Sequence, residues 1–463
     1  MRCILPWLAF LLLFGGCLVG PDYRRPPYPI PSSFRGEAPE APTAIMSLGD
    51  ISWWQIFEDE QLQELIRTAL AENYDLRITV ARILAARARL TITRSEQFPT
   101  IDANGRAIYN RTEGDSPPAT AKETLAPVGS MDLSFEIDLW GRLRRATEAA
   151  RADLLASEEA RQTVVTTLVS DVATAYFQLR ELDLELEIAH RTLDSRQAAL
   201  RLVQARADGG VASLIDVRQA ETLLYAAAVV IPDTERRIEQ RENLISLIVG
   251  RNPTAVPRGR SLLQQLALPA VPSGLPSALL ERRPDIRQTE QQLLSANARI
   301  GVAKALFFPQ VVLTGSAGIG ATGVNGAFFG PQGLFAVGPS LTLPIFNAGR
   351  IRAGVESAEA GQQEALLRYL QSIQQAFREV SDALVEHRRR QEFRVQQEAL
   401  TKAWQDASRL SRRRYEGGVT SFLEVLDTER ELFDSELDLA QAQLAERLAV
   451  VQLYKALGGG WQP

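Results

Sequence analysis

The sequence predicts a membrane α+β protein in which β-strands pooled from several chains close a transmembrane barrel that continues into a barrel of very long α-helices. Three observations support this fold class: an internal duplication, segments that alternate strictly between apolar and polar residues, and helical runs longer than a compact domain needs. The 463 residues carry a net charge of −5, with 51 basic and 56 acidic residues. The charge balance therefore gives no support to a nucleic-acid partner.

The first residues have the pattern of an export signal. Arg2 precedes an apolar run from Ile4 to Phe14, and two glycines then precede Cys17. This arrangement resembles the bacterial lipobox, although Phe14 stands where leucine is usual. It predicts a lipoprotein signal peptide at 1–16, lipid attachment (palmitate) at Cys17 and sorting to the outer membrane. The alternative is an ordinary signal peptide that happens to contain a cysteine.

Residues 17–57 are expected to form an extended segment tethered to the membrane at Cys17. Within it, residues 20–31 read GPDYRRPPYPIP, a composition typical of extended chain. Removal of residues 1–16 would leave Cys17 as the single cysteine, with its sulfur blocked by lipid. An intramolecular disulfide would then be impossible.

The remainder of the chain is a duplication. Residues 206–221 (RADGGVASLIDVRQAE) and 414–429 (RYEGGVTSFLEVLDTE) are identical at seven of sixteen positions and lie 208 residues apart. The same separation aligns Gly141-Arg142 with Gly349-Arg350. We expect a first repeat at 58–250, a proline-bearing linker at 251–276 and a second repeat at 277–458.

Each repeat is expected to contribute two strands. In MDLSFEIDLW, Met131, Leu133 and Phe135 share one face, while Asp132 and Ser134 share the other. Such alternation suits a strand with lipid on one side and water on the other. We expect four strands of about ten residues each, the usual length of a transmembrane strand. They are expected at about 98–110, 129–139, 308–318 and 334–346.

Four strands are too few to close a barrel, which takes about eight. Open strand edges are not tolerated in lipid, because unpaired backbone groups there are costly. The chain is therefore expected to oligomerise, and three copies would supply about twelve strands.

The helical runs predict a tube or stalk rather than a compact globule. A helix over 141–207 would be about 100 Å long at 1.5 Å per residue. Spacings of three and four residues from Val165 to Leu193 form a heptad seam and predict left-handed supercoiling. Helical runs are expected at 60–97, 141–207, 212–249, 277–306, 349–416 and 420–457.

The sequence contains no convincing motif for catalysis, for a cofactor or for a metal ion. Residues 318–323, GIGATG, match a dinucleotide-binding pattern, but no helix follows them, and a flexible loop between two strands explains the glycines. His190 and His387 are too few for a histidine metal cluster. The sequence predicts that the protein is not an enzyme and binds no cofactor.

Two double glycines mark turns between long helices. Gly209-Gly210 and Gly417-Gly418 each follow one long helix, and Ser213 and Ser421 can cap the next. Three acidic residues lie just beyond these turns. Repeated around the axis of a pore, they could select cations or form a gate, but they could equally stabilise a helix N-terminus. The acidic residues are Asp216, Glu424 and Asp427.

Together these features resemble the TolC/OprM outer-membrane factors, in their NodT-type lipoprotein branch. The resemblance rests on Cys17, GPDY at 20–23, the Gly-Arg helix starts and the second double-glycine turn. It implies a homotrimer with a twelve-stranded barrel in the outer membrane of a Gram-negative bacterium and a helical tunnel across the periplasm. It also implies docking to a periplasmic adaptor and an inner-membrane pump, most simply of the resistance–nodulation–division type.

The function that the resemblance implies is that of a passive exit duct for small molecules in a tripartite efflux system. Two alternatives stay open at this point: a duct for type I protein secretion, and a structural coiled-coil lipoprotein without a pore.

The resemblance also assigns residues. Thr420 departs from the family pattern, because one member has an arginine of the gate network there, and Glu424 departs where aspartate is usual. We therefore expect fewer ionic links in the gate. Each double-glycine turn joins two long helices into a helical hairpin, and we expect the second hairpin, at Gly417-Gly418, to move when the gate opens. The implied periplasmic gate comprises Asp216, Tyr415, Glu424 and Asp427, and the implied adaptor-contacting tips comprise Gly209, Gly210, Ser213, Gly417, Gly418 and Ser421.

Overall fold

The computed structural model describes residues 18–35, 48–112, 122–264, 276–324 and 327–459. The expected signal peptide at 1–16 and the expected lipid attachment at Cys17 lie outside these residues. The chain divides into two units. The first comprises Met1–Pro27, Arg82–Glu158 and Gln288–Leu370, and the second comprises Tyr28–Ala81, Glu159–Arg287 and Gln371–Pro463.

Long helices dominate the described residues, and two of them have 67 residues each. None of the described helices is long and apolar enough to cross a membrane. Single 3₁₀ turns occur at Leu48–Asp50 and Leu262–Gln264. The α-helices are α1 (Trp53–Ile56), α2 (Glu60–Glu72), α3 (Tyr74–Ser95), α4 (Arg142–Asp208), α5 (Leu214–Val249), α6 (Pro276–Arg282), α7 (Pro284–Ala305), α8 (Arg350–Glu416) and α9 (Phe422–Ala456).

The helical runs before the strands are not continuous, which corrects the expectation for 60–97 and 277–306. In the first repeat the helix ends at Asn73, whose Nδ2 donates to the Ile248 carbonyl at 2.7 Å. The Asn73 Oδ1 accepts from the Leu76 backbone amide at 3.0 Å and so begins α3. In the second repeat the interruption is at Arg283, directly before Pro284. Asparagine and proline both favour helix starts. The helical periodicity of apolar residues alone did not reveal these two interruptions.

The first unit contains one antiparallel sheet in the order β1-β2-β3-β4. The strands have 13 to 16 residues, longer than expected, because the pairing continues through positions where glycine and proline obscure the alternation. β2 begins before the expected 129–139, and β4 ends before residue 346. The strands are β1 (Thr100–Thr112), β2 (Lys122–Ile137), β3 (Gln310–Val324) and β4 (Ala327–Thr342).

The GIGATG motif lies inside β3, so its interpretation as a flexible loop is wrong. A Cβ atom on Gly318 would lie 2.2 Å from the carbonyl oxygen of Gly129 on the neighbouring strand. The glycine is therefore needed for close approach of two strand backbones. The next described element after the motif is β4 and not a helix, so the described residues do not place a helix N-terminus at these glycines.

The sheet has one apolar and one polar face. Ile101 pairs with Leu133, and Ala317 lies between Met131 and Phe335 on the same face. The opposite face carries Asp102 against Asp132, Ser134 against Thr314 and Val312 against Ser340. Asn104 Nδ2 donates to Asp132 Oδ2 at 2.6 Å on this polar face. The strict alternation in the sequence thus becomes an amphipathic sheet.

In the second unit the predicted heptad seam of α4 is buried. Val172, Leu179 and Ala189 are fully buried, and Leu186 and Leu193 are half-buried.

The duplication is also visible in the backbone, because glycines with positive φ occur in pairs 208 residues apart. These pairs are Gly141 and Gly349, Gly210 and Gly418, and Gly250 and Gly458.

Candidate functional site

The two double-glycine turns have the same hydrogen-bonding geometry. In the first, the Val211 amide donates to the Arg206 carbonyl at 2.8 Å and the Gly210 amide to the Ala207 carbonyl at 2.9 Å. The second repeats this pattern at Val419 and Gly418, with distances of 2.9 and 3.0 Å. Both turns are Schellman motifs, in which the second glycine takes the left-handed conformation, with φ of 74° and 72°.

The first glycine of each pair is not required by the turn. Gly209 and Gly417 lack positive φ. A Cβ atom would lie 3.5 Å from its nearest neighbour at Gly209 and 3.4 Å at Gly417, which is van der Waals contact. These two positions therefore tolerate a methyl group within the single chain.

The helices after the two turns begin differently. Ser213 and Asp216 form a capping box, in which Asp216 Oδ2 accepts from the Ser213 amide at 2.9 Å. The structure thus gives Asp216 a capping role at the start of α5. Ser421 occupies the N-cap position of α9, but its side chain makes no capping hydrogen bond, contrary to expectation. Instead, Thr420 Oγ1 donates to Glu424 Oε2.

Tyr415 is buried where the two hairpins meet. Its ring packs edge-on against Phe422, with centroids 5.3 Å apart, within a cluster of both hairpins that includes Val203 and Val217. The Arg206 guanidinium lies over the ring, 4.6 Å from its centroid, and Arg206 donates to the Tyr415 carbonyl at 3.0 Å.

Tyr415 and Asp216, which are both assigned to the implied gate, are not hydrogen-bonded to each other within the single chain. The buried Tyr415 hydroxyl has no hydrogen-bond partner among the described residues, and Asp216 bonds to Ser213. Burial raises the pKa of the Tyr415 hydroxyl above its ordinary value, and the charge of Asp216 adds to this, while Arg206 opposes it.

The other two predicted gate residues lie on α9 in different surroundings. The Glu424 carboxylate is half-exposed and lies 3.4 Å from an Arg414 nitrogen. Asp427 is exposed and lies 3.1 Å from Arg430 on its own helix. Both carboxylates thus have a basic neighbour, and Glu424 also accepts a hydrogen bond from Thr420.

A buried polar cluster next to these residues was missed from the sequence. Glu429 of α9 is 8% exposed and accepts from Ser408 at 2.9 Å and from Arg412 at 2.5 Å, both on α8. Arg196 of α4, which is 3% exposed, donates to the Glu429 carbonyl at 3.2 Å and to the Leu223 carbonyl of α5 at 2.7 Å. Arg196 and Glu429 together thus join α4, α5, α8 and α9. A signal existed in the sequence, since a charged residue at a seam position is unusual.

The chain directly after Cys17 is firmly held in the first unit. The Val19 amide donates to the Trp140 carbonyl at 3.1 Å, just after β2. Arg145 of α4 donates to Asp22 at 2.7 Å. Trp140 in turn stacks on Phe308, with centroids 4.6 Å apart, before β3. These contacts hold the start of the extended segment against the end of the sheet where α4 begins.

No group of three or more potential metal ligands occurs among the described residues. His387 is half-buried on α8, and burial lowers its pKa. The double-glycine turns and the residues around them are therefore described as the candidate functional site.

Comparison with known proteins gives full-length matches. A sequence model described as outer membrane efflux protein matches residues 65–251 and 275–459. The chain is 38% identical to the solvent efflux pump outer membrane protein SrpC of Pseudomonas putida, over 99% of this chain and 98% of that protein. It is 34% identical to the cation efflux system protein CusC of Escherichia coli O6:H1, over 99% of both chains.

A solved structure of the outer-membrane channel OprN matches with a TM-score of 0.87 and 32% identity, covering 96% of this chain and 100% of that one. The predicted fold class is confirmed by this match, since the sheet and long helices of this chain correspond to those of an outer-membrane channel.

Proposed function

Because the chain belongs to the outer membrane efflux protein family, we propose that three copies of it form the outer-membrane exit duct of a tripartite efflux system for small molecules. The predicted family, efflux function and outer-membrane location are confirmed by the relatives. The duct carries out no catalysis, and the energy for transport comes from its partners.

The amphipathic sheet is the observation that carries the proposal. Its outer strands, β1 and β4, have no further partner strand among the described residues. Met131, Phe335 and Val337 on the apolar face are all more than half exposed in the single chain. Three copies joined edge to edge would pair these strands, turn the apolar face to lipid and enclose the polar face around water.

We assign the gate of the duct to the second hairpin. Glu424 and Asp427 would supply six carboxylates around a three-fold axis, a number that follows from two per chain in a trimer. Such a ring favours cations and excludes anions. Tyr415 and Asp216 lie beside them at the contact between the hairpins.

The double-glycine turns are proposed as the contact with a periplasmic adaptor, which would link the duct to a pump of the resistance–nodulation–division type. Gly209 and Gly417 support this assignment, because the fold of the turns does not require them. Exposed Val211 and Val419 directly beyond the turns offer apolar contact. Gly210, Ser213, Gly418 and Ser421 complete the proposed surface.

Lipid attachment at Cys17 is proposed as the membrane anchor. The anchoring of Val19 and Asp22 beside the end of β2 supports it, because a lipid two residues earlier would then lie near the membrane boundary. Trp140, which stacks on Phe308 at the same level, is of a type enriched at membrane interfaces.

Drug and solvent susceptibility of a strain that lacks the protein tests the proposed function. The strain should become more sensitive to small apolar toxic compounds, and the full-length protein should restore resistance. Unchanged susceptibility in a strain that still produces the pump and adaptor would contradict the proposal.

A further inference from the structure

The two helical hairpins differ in the chemistry of their internal seams. In the second hairpin, polar side chains that are buried or half-buried join α8 to α9, whereas apolar residues occupy the positions 208 residues earlier in the first hairpin. The polar positions are Gln397, Thr401, Ser408, Ser411, Thr428 and Ser435, and their counterparts are Ala189, Leu193, Leu200, Val203, Ala220 and Ala227.

The polar seam consists of hydrogen bonds between the two helices. The hydroxyls of Thr401 and Ser435 lie 2.8 Å apart, and those of Ser411 and Thr428 lie 2.7 Å apart. Water can replace such bonds when the helices shift, whereas exposure of an apolar seam has no compensating contact. The second hairpin is therefore the one whose helices can move against each other at lower free-energy cost.

Glu429 stands at the centre of this seam and connects it to the first hairpin. Its carboxylate accepts from Ser408 and Arg412 of α8, and its carbonyl accepts from Arg196 of α4. The Arg196 guanidinium also lies 4.8 Å from the ring centroid of Phe433 on α9. Only the Glu429 side of the Arg412–Glu429 pair is buried, because the Arg412 side chain is 41% exposed. Such a pair contributes little net stability, but removal of the arginine leaves an uncompensated buried charge. The arrangement thus fixes a register more than it strengthens the fold.

The gate carboxylates lie on the other side of the same helix. At about 100° per residue, Glu429 is about 140° from Glu424 and about 200° from Asp427 around the axis of α9. Contacts that hold Glu429 against α4 and α8 therefore determine where the opposite face of α9 presents Glu424 and Asp427.

We infer that Arg196, Arg412 and Glu429 are positioning residues of the gate. They hold α9 in its resting register, and breaking the Arg412–Glu429 pair releases α9 along the polar seam and shifts the gate carboxylates. This inference rests on the proposed function, because it requires a pore with a gate in the second hairpin. It adds three residues that do not belong to the predicted gate.

Single-channel recording of the full-length trimer in planar bilayers tests the inference. Glu429→Gln keeps a hydrogen-bond acceptor for Ser408 but loses the ion pair, and it should raise the open-state population about tenfold, as loss of one charge-assisted bond implies. The double variant Arg412→Glu with Glu429→Arg restores opposite charges and should return the population towards that of the wild type. Rescue of this kind would not follow from general damage to the fold.

The duplication supplies the matched control. Glu221 occupies the position equivalent to Glu429 in the first hairpin and pairs with Arg218 of its own helix at 2.6 Å. Glu221→Gln should leave gating unchanged. If Glu429→Gln does not assemble as a trimer, Arg412→Gln, at a side chain that is 41% exposed, carries the same expectation.

Two outcomes count against the inference in distinguishable ways. Wild-type gating in Glu429→Gln and Arg412→Gln, in a trimer whose conductance does respond to Asp427→Asn, would overturn the inference and leave the proposed function standing. Absence of any conductance in the wild type and all variants would overturn both.

Discussion

The guanidinium carbon of Arg206 lies 4.6 Å from the ring centroid of Tyr415, and Arg206 Nη1 donates to the Tyr415 backbone carbonyl at 3.0 Å. Arg206 belongs to the last turn of α4 and Tyr415 to the last turn of α8, so this pair joins the ends of the two hairpins. The cation and the aromatic face are held in place by the backbone bond, an arrangement that contributes about 1 kcal/mol or more when desolvated. The tyrosine is thus fixed through its ring and backbone, and its hydroxyl is left without a partner within the chain.

The Tyr415 hydroxyl can be tested by substitution with phenylalanine. If the hydroxyl is unpaired in the trimer, Tyr415→Phe should leave stability unchanged or raise it by about 1 kcal/mol, because an unsatisfied buried polar group is removed. Thermal unfolding of the purified trimer measures this. A clear loss of stability would contradict this and show that the hydroxyl is hydrogen-bonded in the trimer, and Phe422→Leu serves as a control for loss of ring packing.

The two glycines of each turn should behave differently. Gly210→Ala and Gly418→Ala place a side chain in the left-handed conformation and should cost about 1 kcal/mol each. Gly209→Ala and Gly417→Ala should leave the stability of the isolated trimer unchanged. The purified trimers would be compared by thermal unfolding.

The same four variants separate folding from partner contact in cells. Loss of efflux in Gly209→Ala or Gly417→Ala, with a normal amount of stable trimer, would support the adaptor contact. Normal drug resistance in both would place the adaptor elsewhere.

A buried carboxyl pair on α4 should make stability depend on pH. Burial raises the pKa of Glu181 to about 8, with a further contribution from its hydrogen bond to Glu185, while Arg237 and Arg241 of α5 oppose the shift. Because the pKa is raised in the folded state, the stabilising contribution is complete below the ordinary value of 4.5 and is lost as the pH rises towards about 8.

Glu181→Gln should remove this dependence, because glutamine stays neutral throughout. Relative to the wild type, the variant should gain roughly 2 kcal/mol between pH 5 and pH 8, a value discounted for partial screening. Thermal unfolding at the two pH values measures the gain. The exposed Glu187→Gln is the matched control, and equal responses of the two variants would show that burial of Glu181 is not the cause.

The strands and long helices could be predicted because their signals are local. Alternation around Met131 and the heptad spacing around Val172 follow directly from the geometry of a strand and a helix. The interruption at Asn73 was missed, because it depends on a bond to the Ile248 carbonyl, which is distant in sequence. The glycine at 318 was assigned to a loop, because the strand that requires it is not its neighbour in the chain.

The candidate site was predictable in position but not in detail. The two double-glycine turns were evident from the repeat, whereas the capping role of Asp216 and the failure of Ser421 to cap depend on side-chain conformation. Arg196 and Glu429 were overlooked, because their significance appears only when four helices are brought together. The sequence comparison of the two repeats nevertheless contained the difference, since polar residues replace apolar ones along one seam.

The conductance and reversal potential of the purified full-length trimer, in a planar bilayer under a salt gradient, test the proposed gate most directly. We expect a cation-selective pore whose selectivity falls in Asp427→Asn and falls further when Glu424→Gln is added, because the ring of carboxylates is then removed. A trimer that conducts no ions in any of these forms would contradict the proposed gate. A pore whose ion selectivity is the same in the wild type and in both variants would also contradict it.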